Sequence, residues 1–425
     1  MRVEQFSIPL VRFIANRRRL AEALLGRSAW GNPFSVEAYA DPYPAFELMR
    51  ADGPVAYNRM YQQWFVTGYD EAKAIMVSPN AGVAAQVETF LDVRPYSKLS
   101  PRSQQFFATW LLLVDPPRHT RLRRMVSSTF TPRQVARLEP VLVDIAEELL
   151  DAFDARTDRD LAEGFTVPLP IYAISELLGV PADRRAWIHD IAVRLIVLLE
   201  PFQGFAPHDV DAAVDELHDY VVELAAQRRA EPRDDLITAL AQAESDGDRL
   251  DEDELVAMVG FLLFAGYETT SGVLGNALVA LANHPAETAK LQADAELWPN
   301  AVEEFLRFDT GVKADPRFAI DDIELDGVTI PKGANIVLML AGANRDPRRY
   351  AEPDQLMVDR VDPNPISFGH GIHHCIGASL ARLEIRIGLQ SLLARHDPAD
   401  LDLAATEWKQ SLTLRGPSSL PLRSS

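Results

Sequence analysis

The chain has 425 residues, of which 47% are hydrophobic and 24% charged, and its formal net charge is -20. This composition is typical of a soluble globular protein, and the length favours either two domains or one large enzyme fold. The acidity argues against a nucleic-acid partner, because binding to a phosphate backbone draws on clustered lysine and arginine. The one cysteine excludes an intramolecular disulfide and fits a reducing compartment.

The sequence gives little sign of a membrane segment. No apolar run reaches the roughly 20 residues that a membrane helix needs. Residues 6–19 are amphipathic and end in three arginines, which reverses the charge order of a signal peptide. We interpret this stretch as a helix packed on its own domain, with contact to a membrane surface as the alternative. We therefore expect a cytoplasmic protein.

Helical periodicity dominates the chain after a small hairpin at residues 55–57 and 64–67. It predicts helices at about residues 70–77, 118–130, 134–153, 168–179, 183–199, 209–229, 234–244, 252–282, 286–292, 299–308 and 375–396. Asp251, followed three residues later by Glu254, is typical of a capping box at the start of the longest helix.

A β-rich segment follows the helix near residue 305. We expect strands at residues 318–320, 323–325, 328–330 and 335–340, joined by Asp326-Gly327 and Pro331-Lys332-Gly333 turns. Residues 344–367 are proline-rich with little periodicity, which indicates an ordered meander or a loop. The pattern as a whole predicts a mainly α protein with a minor β subdomain at about residues 50–70 and 311–341.

The only cysteine, Cys375, ends a glycine-rich segment, Phe368-Gly369-His370-Gly371-Ile372-His373-His374-Cys375-Ile376-Gly377, that runs into a helical pattern. Backbone N–H groups and the helix dipole at a helix N-terminus favour the thiolate over the thiol. The glycines let the loop approach a group lying over it, and Gly377 leaves room beside the sulfur. The segment therefore predicts a thiolate held against a metal. The alternative is a small buried hydrophobic residue.

The longest helix contains Ala265-Gly266-Tyr267-Glu268-Thr269-Thr270 within an otherwise apolar segment. A threonine hydroxyl can bond the carbonyl four residues back, here that of Ala265, and loosen the helical ladder. This predicts a polar notch beside small side chains. The alternative is a glycine tolerated in a buried helix.

Three further charged groups stand out. Glu304 and Arg307 can pair on one helix face, which is also common on a solvated surface. His119 and Arg123 share one face of a helix that begins after two prolines, and they suit an anionic carboxylate; a solvated basic face is the alternative. Arg317 opens the β-rich segment and is a further candidate for an anion.

Together these segments resemble the cytochrome P450 family, the haem-thiolate monooxygenases, in the right order over nearly the whole chain. Residues 368–377 resemble the family's cysteine-ligand loop, and residues 265–269 its oxygen-binding helix. Glu304 and Arg307 resemble its Glu-x-x-Arg pair, which Arg360 in the meander completes as a structural triad. One departure is Leu356-Met357, where the family commonly has an aromatic residue.

The resemblance implies one P450 domain over residues 1–425, with haem b between the longest helix and the cysteine loop. Cys375 would be the axial thiolate, whose electron donation favours O–O cleavage. Thr269 and Glu268 would deliver protons, and Ala265 and Gly266 would leave space for O₂. The remaining cofactor contacts that it implies, including those to the haem propionates, are His119, Arg123, Arg317, Phe368, His373 and Gly377.

The family positions also suggest an apolar substrate pocket. Its candidate walls are Phe90, Leu91, residues 193–205, Phe261, Phe264, Ala265, Val312, Lys313 and Ala314. Lys313 is a candidate for meeting an anionic substrate group, and a snorkelling surface lysine is the alternative.

The resemblance implies a monomeric monooxygenase that takes electrons from a separate ferredoxin and ferredoxin reductase, since no segment resembles a fused flavin or iron-sulfur domain. Arg118, Arg121 and Arg124, with His370, form a candidate basic patch for that ferredoxin; solvated arginines are the alternative. Three other readings are a peroxide-driven peroxygenase, which the Glu268-Thr269 pair argues against, a non-catalytic haem sensor or carrier, and a zinc site. The zinc site would use His370, His373, His374 and Cys375.

Overall fold

The computed structural model describes residues 30–31, 35–92, 95–127, 130, 132–199, 204–245, 248–325 and 327–423. Among these, the chain divides into two compact units. The first unit contains residues 82–138 and 171–267, and the second contains residues 30–81, 139–170 and 268–423. The predicted N-terminal helix at residues 6–19 lies outside the described residues. That the whole chain forms one domain stays a prediction.

The first unit is almost entirely helical. Its helices are Ala84–Leu91, Pro101–Ala108, Arg118–Ser127, Pro132–Arg137, Arg185–Ile196, Pro207–Ala230 and Leu236–Gln242. The helices Pro168–Leu178 and Glu252–Asn283 each belong partly to this unit and partly to the second. Two two-residue strands, Glu244–Ser245 and Asp248–Arg249, pair antiparallel just before the longest helix.

The second unit combines helices with the β structure. Its helices are Val36–Ala40, Tyr43–Ala51, Tyr69–Val77, Glu139–Asp154, Pro285–Ala293, Trp298–Phe308, Leu340–Ala343 and Ala378–Leu393. Its strands are Val55–Asn58, Gln63–Val66, Asp315–Ala319, Ile323–Leu325, Val328–Ile330, Asn335–Leu338, Glu407–Trp408 and Pro417–Ser419. The expected mainly α fold with a minor β subdomain is confirmed.

The main sheet joins distant parts of the second unit. Val55–Asn58 and Gln63–Val66 form the predicted antiparallel hairpin. Gln63–Val66 also pairs in parallel with Asn335–Leu338, which pairs antiparallel with Asp315–Ala319. Fully buried aliphatic side chains, including Val66, Ile75, Ile336 and Leu338, pack together beneath this sheet. The hairpin could be predicted because its two strands are close in the sequence. The parallel pairing of Gln63–Val66 with Asn335–Leu338 joins distant residues and depends on this shared core.

Several element boundaries differ from those predicted. The helix expected at residues 134–153 is two helices that break at Leu138, because Pro140 lacks the N–H that would continue the helical ladder. The strand expected at residues 335–340 ends at Leu338, where the short helix Leu340–Ala343 follows. The last long helix begins at Ala378, with Gly377 as its N-cap, so Cys375 lies two residues before that cap.

The helix Glu252–Asn283, called the long helix below, begins with the predicted capping box. The Glu254 N–H donates to the Asp251 carboxylate at 2.8 Å, and the Asp251 N–H donates back to Glu254 at 3.4 Å. By length and composition this helix would suffice to cross a membrane. However, 83% of its most apolar window is buried inside the structure, as in the core helix of a globular protein.

Candidate functional site

The cysteine loop, residues 366–377, has a conformation that requires its glycines. The Cys375 N–H donates to the Phe368 carbonyl at 2.8 Å, and the Gly369 N–H donates to the Ile366 carbonyl at 2.8 Å. Gly369 and Gly371 have φ angles of 67° and 73°, in the left-handed region that glycine adopts at little cost. A Cβ atom on Gly371 would also lie 2.8 Å from the Met76 carbonyl oxygen. The loop therefore closes on itself through backbone contacts.

This loop presents the Cys375 side chain at the surface. Cys375 is exposed, so its interpretation as a small buried hydrophobic residue is wrong. A Cβ atom on Gly377 would stand 4.0 Å from the Cys375 sulfur, which places Gly377 directly beside the thiol, as predicted. Phe368, at the other end of the loop, stacks under the Arg382 guanidinium at 4.5 Å, and Arg382 is itself held by Glu303. The exposed thiol therefore lies on a loop that backbone hydrogen bonds and the Phe368–Arg382 contact stabilise.

The long helix is buried along nearly all of its middle, with one short break in that burial. From residue 254 to residue 278, every position is buried except Ala265, Gly266 and Thr269, which are half-buried. Positions i and i+4 of an α-helix lie on one face, and i+1 is next to them. The three residues singled out in the sequence therefore form one accessible stripe on an otherwise packed helix. The helix remains α-helical through this stripe.

Beyond Thr269 the helix packs tightly against other backbone. A Cβ atom on Gly311 would lie 2.3 Å from the Thr269 carbonyl oxygen, so only glycine fits at that point. The neighbouring Glu268 is buried, and its carboxylate pairs with the ammonium group of Lys409 at 2.5 Å. Thr270, on the other side of Thr269, hydrogen-bonds the buried carboxyl of Glu384. Sequence reasoning identified Glu268 and Thr269 but missed both of these partners.

The predicted Glu-Arg-Arg triad is present and buried. The Arg307 guanidinium donates to both carboxylate oxygens of Glu304, at 2.6 and 2.8 Å, and Arg360 donates to the same carboxylate at 3.0 Å. Glu304 and Arg307 have no exposed surface, so the surface-pair interpretation is wrong. At the departure from the family pattern, the Met357 N–H donates to Glu304 at 3.0 Å, and Leu356 is buried. That change leaves the triad intact.

The candidates for binding haem propionates occupy different environments. In the first unit His119 is buried, and burial together with the nearby charge of Arg123 lowers the pKa of His119 below its usual value. Arg123 is half-buried on the same helix, Arg118–Ser127. In the second unit Arg317 is buried and already contacts the carboxylate of Asp315, while His373 is half-buried in the cysteine loop.

The aromatic pocket candidates of the first unit belong to a continuous series of ring contacts. Phe90 stacks on Tyr96 at 5.6 Å, Tyr96 contacts Phe107 at 5.7 Å, and Phe107 contacts Trp110 at 5.6 Å. Trp110 then stacks on Phe264 at 5.3 Å with an interplanar angle of 16°. The sequence predicted the two ends of this series but missed Tyr96, Phe107 and Trp110.

Two further rings join this aromatic series. Phe261 contacts Trp110 at 6.2 Å, and Phe205 contacts Tyr96 edge to face at 5.0 Å. The wall predicted at residues 193–205 is described except for residues 200–203. The indole Nε1 of Trp110 is buried and has no hydrogen-bond partner within the described residues.

The pocket candidates of the second unit include one clear correction. Lys313 is only 4% exposed, so its interpretation as a snorkelling surface lysine is wrong. Its ammonium group donates to the Ser411 carbonyl at 2.6 Å and lies 5.8 Å from the Tyr39 ring. Val312 beside it is half-buried, and Ala314 is buried. Contact of Lys313 with an anionic substrate stays a prediction.

The three arginines of the candidate basic patch differ in their ion pairs and exposure. Arg121 forms an ion pair with the buried carboxylate of Glu254, and Arg118 lies 3.8 Å from it, whereas Arg124 is exposed. The charge of Arg121 is therefore partly neutralised.

Across the part of the chain that the structure describes, no group of three or more His, Cys, Asp and Glu side chains is placed to hold a metal ion. The zinc site proposed for the histidines near Cys375 thus finds no support.

Comparison with known proteins identifies the class to which this fold and site belong. The family model described as Cytochrome P450 matches residues 188–403. The chain is 37% identical to cytochrome P450 monooxygenase PikC of Streptomyces venezuelae, covering 94% of each chain. It is 38% identical to vitamin D(3) 25-hydroxylase of Pseudonocardia autotrophica, covering 92% of this chain and 95% of that one.

The fold agrees with these sequence relationships. The structure of P450BioI in complex with an acyl carrier protein ligated to hexadec-9Z-enoic acid superposes with a TM-score of 0.82 at 29% identity. That match covers 92% of this chain and 99% of the other. The chain therefore belongs to the cytochrome P450 family. It is an oxidoreductase, a haem-binding P450 monooxygenase, and such enzymes act on small molecules with O₂.

The residues of this chain fit a haem with a thiolate ligand. The thiol of Cys375 is exposed on a loop braced by its own backbone, and Gly377 adds no side chain beside the sulfur. A thiolate is a soft ligand that suits haem iron. The accessible stripe of the long helix offers two small residues and one hydroxyl.

Proposed function

We propose that this protein is a haem b monooxygenase that hydroxylates an apolar small molecule in the cytoplasm, as a monomer, with electrons from a separate ferredoxin and ferredoxin reductase. The observation that carries this proposal is the accessible stripe Ala265, Gly266 and Thr269 on an otherwise buried helix. These three residues are half-buried, whereas every other position from residue 254 to residue 278 is buried, which supports a role for them beyond packing. When bound, the haem supplies the oxidising chemistry, and the protein positions and tunes it.

We assign the cofactor contacts as follows. Cys375 would hold the haem through its thiolate, with Phe368 and Gly377 on either side of it in the loop. His119, Arg123, Arg317 and His373 hold the two propionates by charge and hydrogen bonding. Burial and the charge of Arg123 lower the pKa of His119, and its ring N–H can donate a hydrogen bond in either protonation state while the arginines supply the charge.

The stripe and its neighbours manage space and protons. Ala265 and Gly266 leave room for O₂. The Thr269 hydroxyl would donate a proton at this stripe and regain one from the Glu268 carboxyl, which would in turn take up a proton from solvent. The aromatic series from Phe90 to Phe264 supports an apolar substrate, because a pocket next to these rings would exclude water and offer few polar anchors.

The absorption spectrum of the reduced, CO-bound protein tests the ligand. We expect a red-shifted band typical of a thiolate-bound haem, and its loss in Cys375→Ser. Ser379→Ala, an exposed change in the helix that follows the loop, serves as the control and is expected to keep the band. An unchanged band in Cys375→Ser would overturn the assignment. A substrate library followed by the absorption shift on displacement of iron-bound water then identifies the ligand class.

Two other functions make different predictions in the same preparation. A peroxygenase would turn over with hydrogen peroxide at least as well as with a ferredoxin, a reductase and NAD(P)H. A haem sensor or carrier would turn over with neither. We expect product with the reconstituted electron donors. The Glu268-Thr269 pair supports this, because protons must be delivered when O₂ is reduced, whereas hydrogen peroxide already carries them.

A further inference from the structure

We propose that Lys409 is the positioning residue of Glu268, holding its carboxylate at the point from which protons pass to Thr269. This inference rests on the proposed function, since it concerns the same proton path. Lys409 is 141 residues further along the chain than Glu268, and the sequence gives no sign that the two meet.

The contact itself is short and largely shielded from water. The Lys409 Nζ atom donates to the Glu268 Oε1 atom at 2.5 Å, and the side chains are 18% and 8% exposed, respectively. A buried carboxylate requires a compensating charge, because an uncompensated one takes up a proton or moves toward water. Lys409, the more exposed partner, thus supplies the charge that compensates the Glu268 carboxylate and fixes the position of that carboxylate.

The backbone places Lys409 over the helix. Residues 407–419, called the C-terminal hairpin here, pack on the helix one turn beyond Glu268. A Cβ atom on Gly272 would lie 2.3 Å from the Arg415 carbonyl oxygen, and one on Gly416 would lie 2.6 Å from the Gly272 Cα. The Lys409 N–H donates to the Gly416 carbonyl at 3.1 Å. Since residues 268 and 272 share one helix face, this close approach brings Lys409 to Glu268.

Buried polar contacts hold the C-terminal hairpin in that place. Arg415 donates to Asp309 at 2.5 Å and to the Tyr39 carbonyl at 2.9 Å, and its guanidinium lies 4.1 Å from the Trp408 ring. The Asn276 side chain of the long helix donates to the Asp309 carbonyl at 3.1 Å. The position of Lys409 is therefore set by a rigid support, as accurate placement of a reacting group requires.

The proton balance assigns different parts to the two residues. Glu268 accepts a proton from solvent and transfers it to the Thr269 hydroxyl as that hydroxyl gives up its own, which restores the carboxylate. Lys409 keeps its three protons and acts only through Glu268. Loss of Lys409 is then expected to slow reprotonation of Thr269, so that reduced oxygen escapes as hydrogen peroxide.

The experiment uses the haem-loaded protein, a reconstituted ferredoxin and reductase, and a substrate found by titration. Product formed and peroxide released per NAD(P)H are measured in Lys409→Met, Lys409→Arg, Glu268→Gln and the double variant, in H₂O and D₂O. Lys332→Met removes a charge from an exposed lysine of the same unit and is the control. The CO-bound spectrum and substrate affinity report on folding in each variant.

We expect coupling to fall about tenfold in Lys409→Met, less than the 10²- to 10⁴-fold that a general acid itself contributes. The solvent isotope effect should rise, Lys409→Arg should restore most of the coupling, and Lys409→Met should change nothing further in Glu268→Gln. Lys332→Met should behave as the unmodified protein does.

The other outcomes separate the two proposals. If Glu268→Gln leaves coupling unchanged, the proton role of Glu268 fails, and the role of Lys409 fails with it. If Glu268→Gln lowers coupling but Lys409→Met leaves it unchanged or raises it, only the positioning role is wrong. An equal loss from Lys409→Met with and without Glu268 also overturns it, because the effect would then not pass through the carboxylate.

Discussion

Thr270 hydrogen-bonds the carboxyl of Glu384, which is 1% exposed on the helix that follows the cysteine loop. Burial raises the pKa of Glu384 well above its ordinary value of 4.5, and the Thr270 contact offsets only part of this effect. The Oε1 atom of Glu384 is also buried and has no hydrogen-bond partner within the described residues. The protonated form of the Glu384 carboxyl is therefore favoured at pH values where an ordinary glutamate is ionised, and its partner Thr270 follows Thr269 directly in the long helix.

This raised pKa predicts how stability changes with pH. Above pH 4.5 the unfolded chain releases the Glu384 proton, whereas the folded protein retains it up to its higher pKa. The free energy of unfolding therefore falls by up to about 1.4 kcal/mol per pH unit over that interval. Glu384→Gln should remove this slope, so that the variant gains relative stability from pH 5 to pH 8 in urea unfolding. If the free energy of unfolding depends on pH in the same way in Glu384→Gln and in the unmodified protein, the raised pKa of Glu384 is wrong.

Thr269→Ala should bind haem and substrate normally but form less product per NAD(P)H and release more hydrogen peroxide. The reason is the loss of the hydroxyl that donates the proton, and we expect an effect toward the lower end of 10²- to 10⁴-fold. Thr269→Ser keeps the hydroxyl and is the matched control. Equal coupling in the alanine and serine variants would remove Thr269 from the proton path.

Arg360→Leu should destabilise the protein by about 3–5 kcal/mol, because it leaves the fully buried Glu304 with one of its two guanidinium partners gone. Urea unfolding of the haem-loaded protein measures this loss. Arg395→Leu is the control, since Arg395 pairs with acidic groups at the surface and its loss should have little effect. Similar midpoints for the two variants would show that the triad is not important for stability.

Arg124→Glu should slow reduction by an acidic ferredoxin, and added salt should slow the unmodified protein in the same way, since both weaken steering. Arg121 is a poor site for this test, because reversing its charge would also break its pair with Glu254. Arg229→Glu, an exposed change on the helix Pro207–Ala230, controls for net charge. If neither Arg124→Glu nor added salt changes the rate of reduction, the ferredoxin docks at another surface.

The sequence predicted those parts of the protein whose signals are local. Three such features are confirmed: the capping box of Asp251 and Glu254, the first hairpin and the Glu304–Arg307 pair. Each depends only on residues that are close together in the sequence. Helix breaks and ends were less accurate, because one proline can outweigh an otherwise continuous apolar period, as at Pro140.

Contacts between distant residues were not predictable in this way. Nothing near Lys409 indicates Glu268, and nothing near Lys313 indicates that its long side chain is buried beneath Ser411. Glu384 was also missed, although it stands between the apolar residues Leu383 and Ile385 in the sequence. Such pairs are set by how the chain folds back on itself, and a periodic pattern carries no information about that.

The meander, residues 344–367, owes its order to side chains that belong partly to another element. Arg307 donates to the carbonyls of Asn344, Pro353 and Gln355, and Arg360 donates to the carbonyls of Ala351, Glu352 and Gln355. Main-chain oxygens are the same whichever residue carries them. Substitution of an exposed meander residue such as Val361, which is 91% exposed, should therefore cost little stability, whereas substitution of Arg307, Arg360 or Glu304 should cost much.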